Sequence, residues 1–531
     1  MNAKRWLTIF LVLILAAVIL TCSLVVIVDP FFHYHAPLSD RFFYTLDNQR
    51  SINIGIVRHF DYDALITGSS MTVNFNTSEI DERFGTRCIK VPASGASFYE
   101  INNLINAAFD SHPDLKYVFR GIDRSLLFDA PELLRTDLGE YPEYLYDRNI
   151  LNDYKYILNA DVIFNRTLTM LADSRRSGFV PGCTSFDDYS NTMEDYKGEF
   201  GLASLSESFR YELGTVGEPV HMTDAERNQL TENITQNVIR CAEEHPDTQF
   251  YYFFPPYSLG YWHDRIASGL IVRQFEAEQL AAELMLQCDN IRLFDFTGRT
   301  DIISDVNNYR DLLHYGEWIN SLIIKWMQED QYRLTEDNYL AFFEQQLAYY
   351  SSADFSELLT QERYGCDFYA AALLNEELTG IPPRPITEEE LRSGELRRAE
   401  LLSASASEQS VLHCTGALGR DAEQPLSDFL YGQDFIGLKL CIPDASEYSY
   451  LCFKGRNTGF DGQPSVFAYD ENGNPISSVE ENSFDLRGGW QIFTLDLRDA
   501  DGPTDIIFNG GYPDYTGHSA SSFEFTDFML Y

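Results

Sequence analysis

Ala64-Leu65-Ile66-Thr67-Gly68-Ser69-Ser70-Met71-Thr72-Val73-Asn74-Phe75-Asn76 is the stretch on which the reading of the fold turns. Residues 64–67 are an apolar, β-branched run short enough for a buried parallel strand, and Gly68-Ser69-Ser70 breaks it where a strand-to-helix turn lies. A serine at such a turn exposes its hydroxyl. It also sits beside backbone N–H groups that open a helix, lack intrahelical partners and can stabilise a developing oxyanion. That geometry suits a nucleophile, although Gly and Ser are ordinary turn residues and the tripeptide alone leaves a plain turn open.

Outward from this stretch, residues 61–326 alternate strand and helix, the pattern of a parallel sheet covered on both faces. Strands are expected at 64–67, 87–91, 117–122, 249–254 and 291–296. Sites in such sheets gather at the carboxyl ends of the strands. Ser70 follows the first, Gly95 the second, Asp123 the third, and Tyr257 and Ser258 the fourth. Asp311-Leu312-Leu313-His314 comes after the fifth. A hydroxyl is a poor nucleophile until an imidazole takes its proton, and a carboxylate fixes the tautomer of that imidazole.

Gly68-Ser69-Ser70 and the Asp311/His314 pair together resemble the first and last blocks of the SGNH/GDSL hydrolase family. The resemblance implies a flavodoxin-like α/β sheet with Ser70 as nucleophile, His314 as general base and Asp311 as the residue that orients it. Pro92-Ala93-Ser94-Gly95-Ala96-Ser97 is similar to the second block, whose glycine N–H contributes to the oxyanion hole. The third block departs from the family: Arg120-Gly121-Ile122-Asp123-Arg124-Ser125 has no asparagine, and an aspartate donates only when protonated. Either Arg124 or another donor replaces it, or the hole is incomplete. Thr72 stands where the nucleophile elbow of α/β-hydrolases has its second glycine, which argues against that fold. An anchor, Gly-Ser-Ser and Asp-x-x-His together are most similar to cell-envelope members such as the D-alanine transfer proteins of teichoic acid synthesis.

Two prolines stop the fourth strand at Phe253-Phe254-Pro255-Pro256, and Tyr257 and Ser258 are expected to overhang the sheet edge and line the pocket, with a rigid turn as the alternative. His263 competes with His314 for the role of base but lacks an aspartate at a useful spacing. Residues 126–217, aromatic and acidic, are expected to form a helical cap over the site.

At the start, Lys4 and Arg5 precede an uncharged run, 6–28, that reaches about 34 Å as a helix, enough for a hydrocarbon core of about 30 Å. Asp29-Pro30-Phe31-Phe32 is unlike a cleavage site, and Leu20-Thr21 before Cys22 fits lipid attachment poorly. With the basic residues inside, 1–5 is a cytoplasmic tail, 6–28 a single-pass plasma-membrane anchor, and the rest is extracytoplasmic. Acidic residues number 81 against 39 basic, net −42, which disfavours nucleic acid and other polyanions as partners. Nine cysteines without a Cys-x-x-Cys pair give no zinc or redox signature. Cys441 and Cys452 read as lying on neighbouring strands and are the first pair to test for a disulfide.

The body is too long for one core. Residues 31–330 are read as the hydrolase-like domain. Residues 331–409 are a helical connector and linker in which Leu340, Phe343, Leu347 and Tyr350 mark one buried face. From 410 to 531 short alternating strands predict an all-β sandwich. Asp470-Glu471-Asn472-Gly473-Asn474 reads as a hairpin turn rather than a calcium loop. The sandwich resembles a jelly-roll carbohydrate-binding module, and the alginate O-acetyltransferases similarly join an SGNH domain to such a module. The expectation is a membrane-anchored serine esterase or O-acyltransferase acting on cell-envelope or extracellular polysaccharide through an acyl-enzyme, with no metal or organic cofactor. Two other readings stay open: a catalytically silent domain that binds envelope glycan, and a partner of a membrane acyltransferase.

Overall fold

A computed structural model describes residues 3–193, 200–359, 369–402, 410–415, 418–419, 435–458, 465–479, 489–510, 513–514 and 522–531. Contacts divide the chain into two units, Met1–Asp195 with Arg210–Ile303 and Ile323–Phe355, and Tyr196–Phe209 with Ser304–Leu322 and Ser356–Tyr531.

The first unit opens with α1 (Ala3–Val28), whose side chains are exposed from Ala3 to Leu20 and mostly covered from Thr21 on, with Val25 and Val28 buried. It is long and apolar enough to cross a membrane, and its length and composition fit an anchor and a signal sequence alike. There follow α2 (Gln49–His59), β1 (Ala64–Gly68), α3 (Thr77–Phe84), β2 (Cys88–Pro92), α4 (Phe98–Ser111) and β3 (Tyr117–Gly121). After the insertion come α5 (Asp224–Ile234), β4 (Gln249–Phe254), α6 (Leu259–Ala267), α7 (Ile271–Met285), β5 (Ile291–Asp295), α8 (Glu317–Gln328), of which only the part from Ile323 belongs to this unit, β6 (Arg333–Leu334) and α9 (Tyr339–Ser352).

The sheet runs β2-β1-β3-β4-β5-β6, with the first five strands parallel and β6 antiparallel on the edge. This is a doubly wound order of the flavodoxin-like kind, reversing at β1, and such sheets bind ligands at the reversal. Helices on the faces explain why the strands read as unbroken apolar runs rather than alternating ones. Each expected strand is present to within two residues. The short β6 was not expected, because two residues carry no periodicity.

The insertion is no single helical cap. It holds the short pieces Thr136–Leu138, Glu143–Tyr146, Tyr154–Ile157 and Leu202–Glu207, and one longer helical stretch in which Asp161–Thr167 runs straight into Leu168–Asp173. Its return is held beside β2: the buried Lys90 ammonium donates to the carbonyls of Val73, Phe75 and Asp187 at 2.6, 2.9 and 3.0 Å, and Tyr189 donates to Asn53 Oδ1 at 2.6 Å. The predicted face of α9 buries Phe343 and Tyr350, while Leu340 points to solvent.

In the second unit, α10 (Tyr369–Thr379) precedes a sandwich built from β7 (Glu395–Arg397), β8 (Ala399–Leu402), β9 (Val411–Thr415), β10 (Gly437–Ile442), β11 (Tyr450–Asn457), β12 (Ser465–Tyr469), β13 (Pro475–Val479), β14 (Gln491–Asp496), β15 (Thr504–Asn509) and β16 (Ser522–Leu530). One antiparallel sheet runs β7-β10-β15-β12-β13 and the other β8-β9-β16-β11-β14. Leu438 and Phe508 of the first sheet share a core with Phe453 and Phe525 of the second, and Phe453 meets Phe508 edge-on at 5.3 Å between ring centres. The Asp470–Asn474 stretch is the hairpin turn expected, with the Asp470 carboxylate accepting from the N–H groups of Asn472 and Asn474. The expected cysteine pairing fails. Cys441 on β10 and Cys452 on β11 belong to different sheets, because the chain changes sheet between them, and they are not joined. The last residues of the expected connector and linker, 403–409, lie outside the described residues.

Candidate active site

The turn after β1 separates the roles of its two serines. Ser69 caps the short helix Ser70–Thr72, its hydroxyl accepting from the Met71 N–H at 3.3 Å, and is buried. Ser70, one step on, is half-buried. Thr72 explains why no second glycine is needed: its hydroxyl donates to the Ser69 carbonyl at 2.9 Å and its methyl packs on Gly68, where a Cβ would lie 2.7 Å away. The Gly68 carbonyl accepts from Ala93 N–H at 2.8 Å, so the turn that carries Ser70 is tied to the turn that carries Gly95.

Gly95 has φ +71°, and a Cβ there would lie 2.8 Å from Leu138 Cδ1. Both the backbone angle and the leucine require glycine. Leu138 belongs to the insertion, and so does Arg135, which donates to the Gly95 carbonyl at 2.7 Å. The neighbouring Ser97 and Glu100 form a capping box that opens α4. This part of the insertion covers Gly95, which sequence reasoning placed only in outline.

Past β3 and β4 the expected pocket residues are engaged with one another. Tyr257 donates to Asp123 Oδ1 at 2.6 Å, and burial together with that carboxylate pushes the phenol well above its ordinary value. Tyr257 and Ser258 are both buried, and the Ser258 hydroxyl accepts from Tyr261 N–H to cap α6. Neither overhangs an open edge as expected. Arg124 departs from its expected role as substitute donor: it is fully buried and donates to both oxygens of Asp295 at 3.0 and 3.1 Å, with Glu278 at 3.6 Å. Burial, and Asp295 beside it, push the Glu278 carboxyl up to about 7, against the pull of Arg124. His263 is buried with Nε2 accepting from Gly214 N–H at 3.1 Å, and burial lowers its basicity.

Asp311 and His314 lie in the second unit, where they are built as a self-contained loop. Tyr309 bridges Tyr315, Arg310 N–H donates to the His314 carbonyl at 2.9 Å, and Gly316 N–H donates to Asn308 at 3.0 Å, so the chain folds back on itself around the pair. Asp311 Oδ1 accepts from the N–H groups of Leu313 and His314, each at 2.8 Å. Its Oδ2 lies 2.7 Å from His314 Nδ1. Burial alone would push the Asp311 carboxyl up, but the ring and the two amides together hold it below the usual carboxylate value. An ionised Asp311 keeps the ring proton on Nδ1 and leaves the Nε2 lone pair as the basic one. Around the loop, Gly201 N–H donates to Tyr309 at 3.0 Å, Phe200 packs on Trp318, Trp318 donates to Asn308 Oδ1 at 2.9 Å, and Arg498 donates to Glu317 at 2.8 Å. None of these supports has a sequence signal, since all but the Trp318–Asn308 bond join distant positions. Among the described residues no three His, Cys, Asp or Glu side chains gather as a metal centre.

No protein-family model and no curated protein matches the sequence. Among solved structures the chain is similar to a two-domain esterase (CEX) active on acetylated mannans, co-crystallised with mannopentaose, at 7% identity over 87% of this chain and 90% of that one, with a TM-score of 0.21. It is also similar to the family 11 carbohydrate-binding module of the cellulosomal cellulase Lic26A-Cel5E of Clostridium thermocellum, at 10% identity over 28% of this chain and 85% of that one, TM-score 0.15. An arabinose-bound α-L-arabinofuranosidase, MgGH51, matches at 12% identity over 28% of this chain and 24% of that one, TM-score 0.17. Scores this low do not define a shared fold, and the chemistry that follows comes from the chain's own residues.

Proposed function

We propose that the protein is a serine acyl esterase of acylated polysaccharide, with Ser70 as nucleophile, His314 as general base and Asp311 as the residue that orients it. Ser70 Oγ attacks the ester carbonyl while His314 Nε2 takes its proton. The N–H groups of Ser70 and Gly95 receive the oxyanion. The tetrahedral adduct collapses, the sugar oxygen leaves with the proton returned by His314, and the acyl group stays on Ser70 until water, or the hydroxyl of a second glycan, attacks it. α1 is the membrane anchor and the body is extracytoplasmic.

The observation that carries this reading is the 2.7 Å contact of His314 Nδ1 with an Asp311 carboxylate already fixed by two backbone amides. A surface histidine has no need of such a mount, whereas a general base does. Net charge −42 favours a neutral polymer over a polyanion, the class to which acetylated mannans belong. One observation favours the second reading, a silent glycan-binding protein: Asp123, in the position of the family's asparagine, accepts a hydrogen bond instead of offering one.

Acetate release from acetylated mannan by the detergent-solubilised full chain tests the proposal. Loss of about 10³-fold or more in both Ser70→Ala and His314→Ala, with folding intact, is expected. Full activity in either variant rejects it.

A further inference from the structure

We infer that residues 148–180 of the insertion form a second membrane contact, a seat that rests on the bilayer surface beside α1. Ile150, Leu151, Phe164 and Val180 are 80, 81, 64 and 74% exposed, and Tyr154 and Leu158 are also exposed. These six large apolar side chains, all left exposed within residues 150–180, mark a contact with something apolar.

What they face follows from where the segment is fastened. Tyr156 donates to Asp29 Oδ1 at 2.8 Å and accepts from Phe31 N–H at 3.2 Å, Tyr34 donates to Asp153 at 3.1 Å, and the Arg166 guanidinium lies 4.7 Å from the centre of the Phe31 ring. The segment is therefore bolted to the residues that follow Val28. When α1 spans a bilayer, it stands within about one helix diameter, roughly 10 Å, of the point where the chain leaves the lipid.

Charge agrees. Between Arg148 and Val180 five basic residues stand against three acidic ones, in a chain with a net charge of −42. Arg148, Lys155, Arg175 and Arg176 are exposed. Apolar tips among basic side chains are the composition of segments that lie in the interface of an anionic bilayer. The inference rests on α1 as the anchor, but not on the chemistry of Ser70.

The test uses the full chain with Cys22, Cys183, Cys288, Cys366 and Cys441 replaced by serine and an environment-sensitive fluorophore on Leu151→Cys, Phe164→Cys, Leu15→Cys or Leu396→Cys, reconstituted in vesicles of phosphatidylcholine and phosphatidylglycerol. Nitroxide-bearing lipid is expected to quench positions 151 and 164 at least about twofold more than position 396, and more strongly in the anionic vesicles than in phosphatidylcholine alone. Quenching at 15 but not at 151 or 164 overturns the seat while leaving the anchor in place. No quenching at 15 overturns both. Burial of 151 and 164 that follows protein concentration rather than lipid assigns the patch to a second copy and overturns the seat as well.

Discussion

Arg498, just past β14 of the sandwich, donates to the carboxylate of Glu317 at 2.8 Å, three residues beyond His314. Asp496 aligns the same guanidinium. The loop of the proposed base is therefore anchored to the sandwich as well as to itself. A pair of this kind, with Arg498 partly exposed and Glu317 largely covered, contributes about 0.5–1 kcal/mol. Arg498→Ala should lower kcat about two- to fivefold with KM for a small acetyl ester unchanged, and the exchange Glu317→Arg with Arg498→Glu should recover part of the loss. Steady-state kinetics on the three chains checks this, and an unchanged kcat in Arg498→Ala removes the positioning role.

Asp311→Asn should keep the loop, because an amide oxygen still accepts from the Leu313 and His314 N–H groups, but it no longer holds the ring proton on Nδ1. A fall in kcat of roughly 10³–10⁴-fold is expected, with thermal stability lowered only slightly. A loss below tenfold would show that Asp311 merely shapes the loop.

At Gly95 two constraints act together, the left-handed backbone and Leu138. Gly95→Ala should cost about 1–2 kcal/mol from the backbone alone, plus the displacement of Leu138, and should lower esterase activity more than its stability loss explains. Adding Leu138→Ala should restore the packing share and not the backbone share, as a double-mutant cycle in denaturant would show.

The buried cluster of Arg124, Asp295 and Glu278 makes two further predictions. Removing the partner of a buried charge is expensive, so Asp295→Asn should destabilise by about 3–5 kcal/mol. Glu278 titrates at about 7 in the folded chain against an ordinary 4.5. Between those values the folded state holds a proton the unfolded state has lost, so stability falls as pH rises through that window. Glu278→Gln should flatten the decline, which the melting temperature measured across the window will show.

What the sequence made legible and what it hid follow from how far apart the partners lie. The five parallel strands were visible because strands buried on both faces are continuous apolar runs closed by Gly68 or Pro255. Asp311 and His314 were visible because three residues separate them. Arg124 stood as one of the alternatives for the missing donor, and nothing near it in the sequence showed that it is taken up by Asp295, 171 residues away. Tyr257 and Asp123, 134 residues apart, were each placed at the sheet edge without any sign that they bond each other. The insertion was expected as a helical cap, and its separate parts serve separate tasks: Leu138 covers Gly95, Tyr156 grips the residues after α1, and the Asp187 carbonyl receives Lys90. No periodicity marks contacts of that kind.

The most direct test of the central claim is covalent labelling of the full chain by a fluorophosphonate, with the modified peptide mapped by mass spectrometry. Labelling on Ser70 that disappears in His314→Ala is the predicted result and means an activated serine. An unlabelled Ser70 in a folded chain contradicts the esterase and leaves a protein that binds glycan without cleaving it.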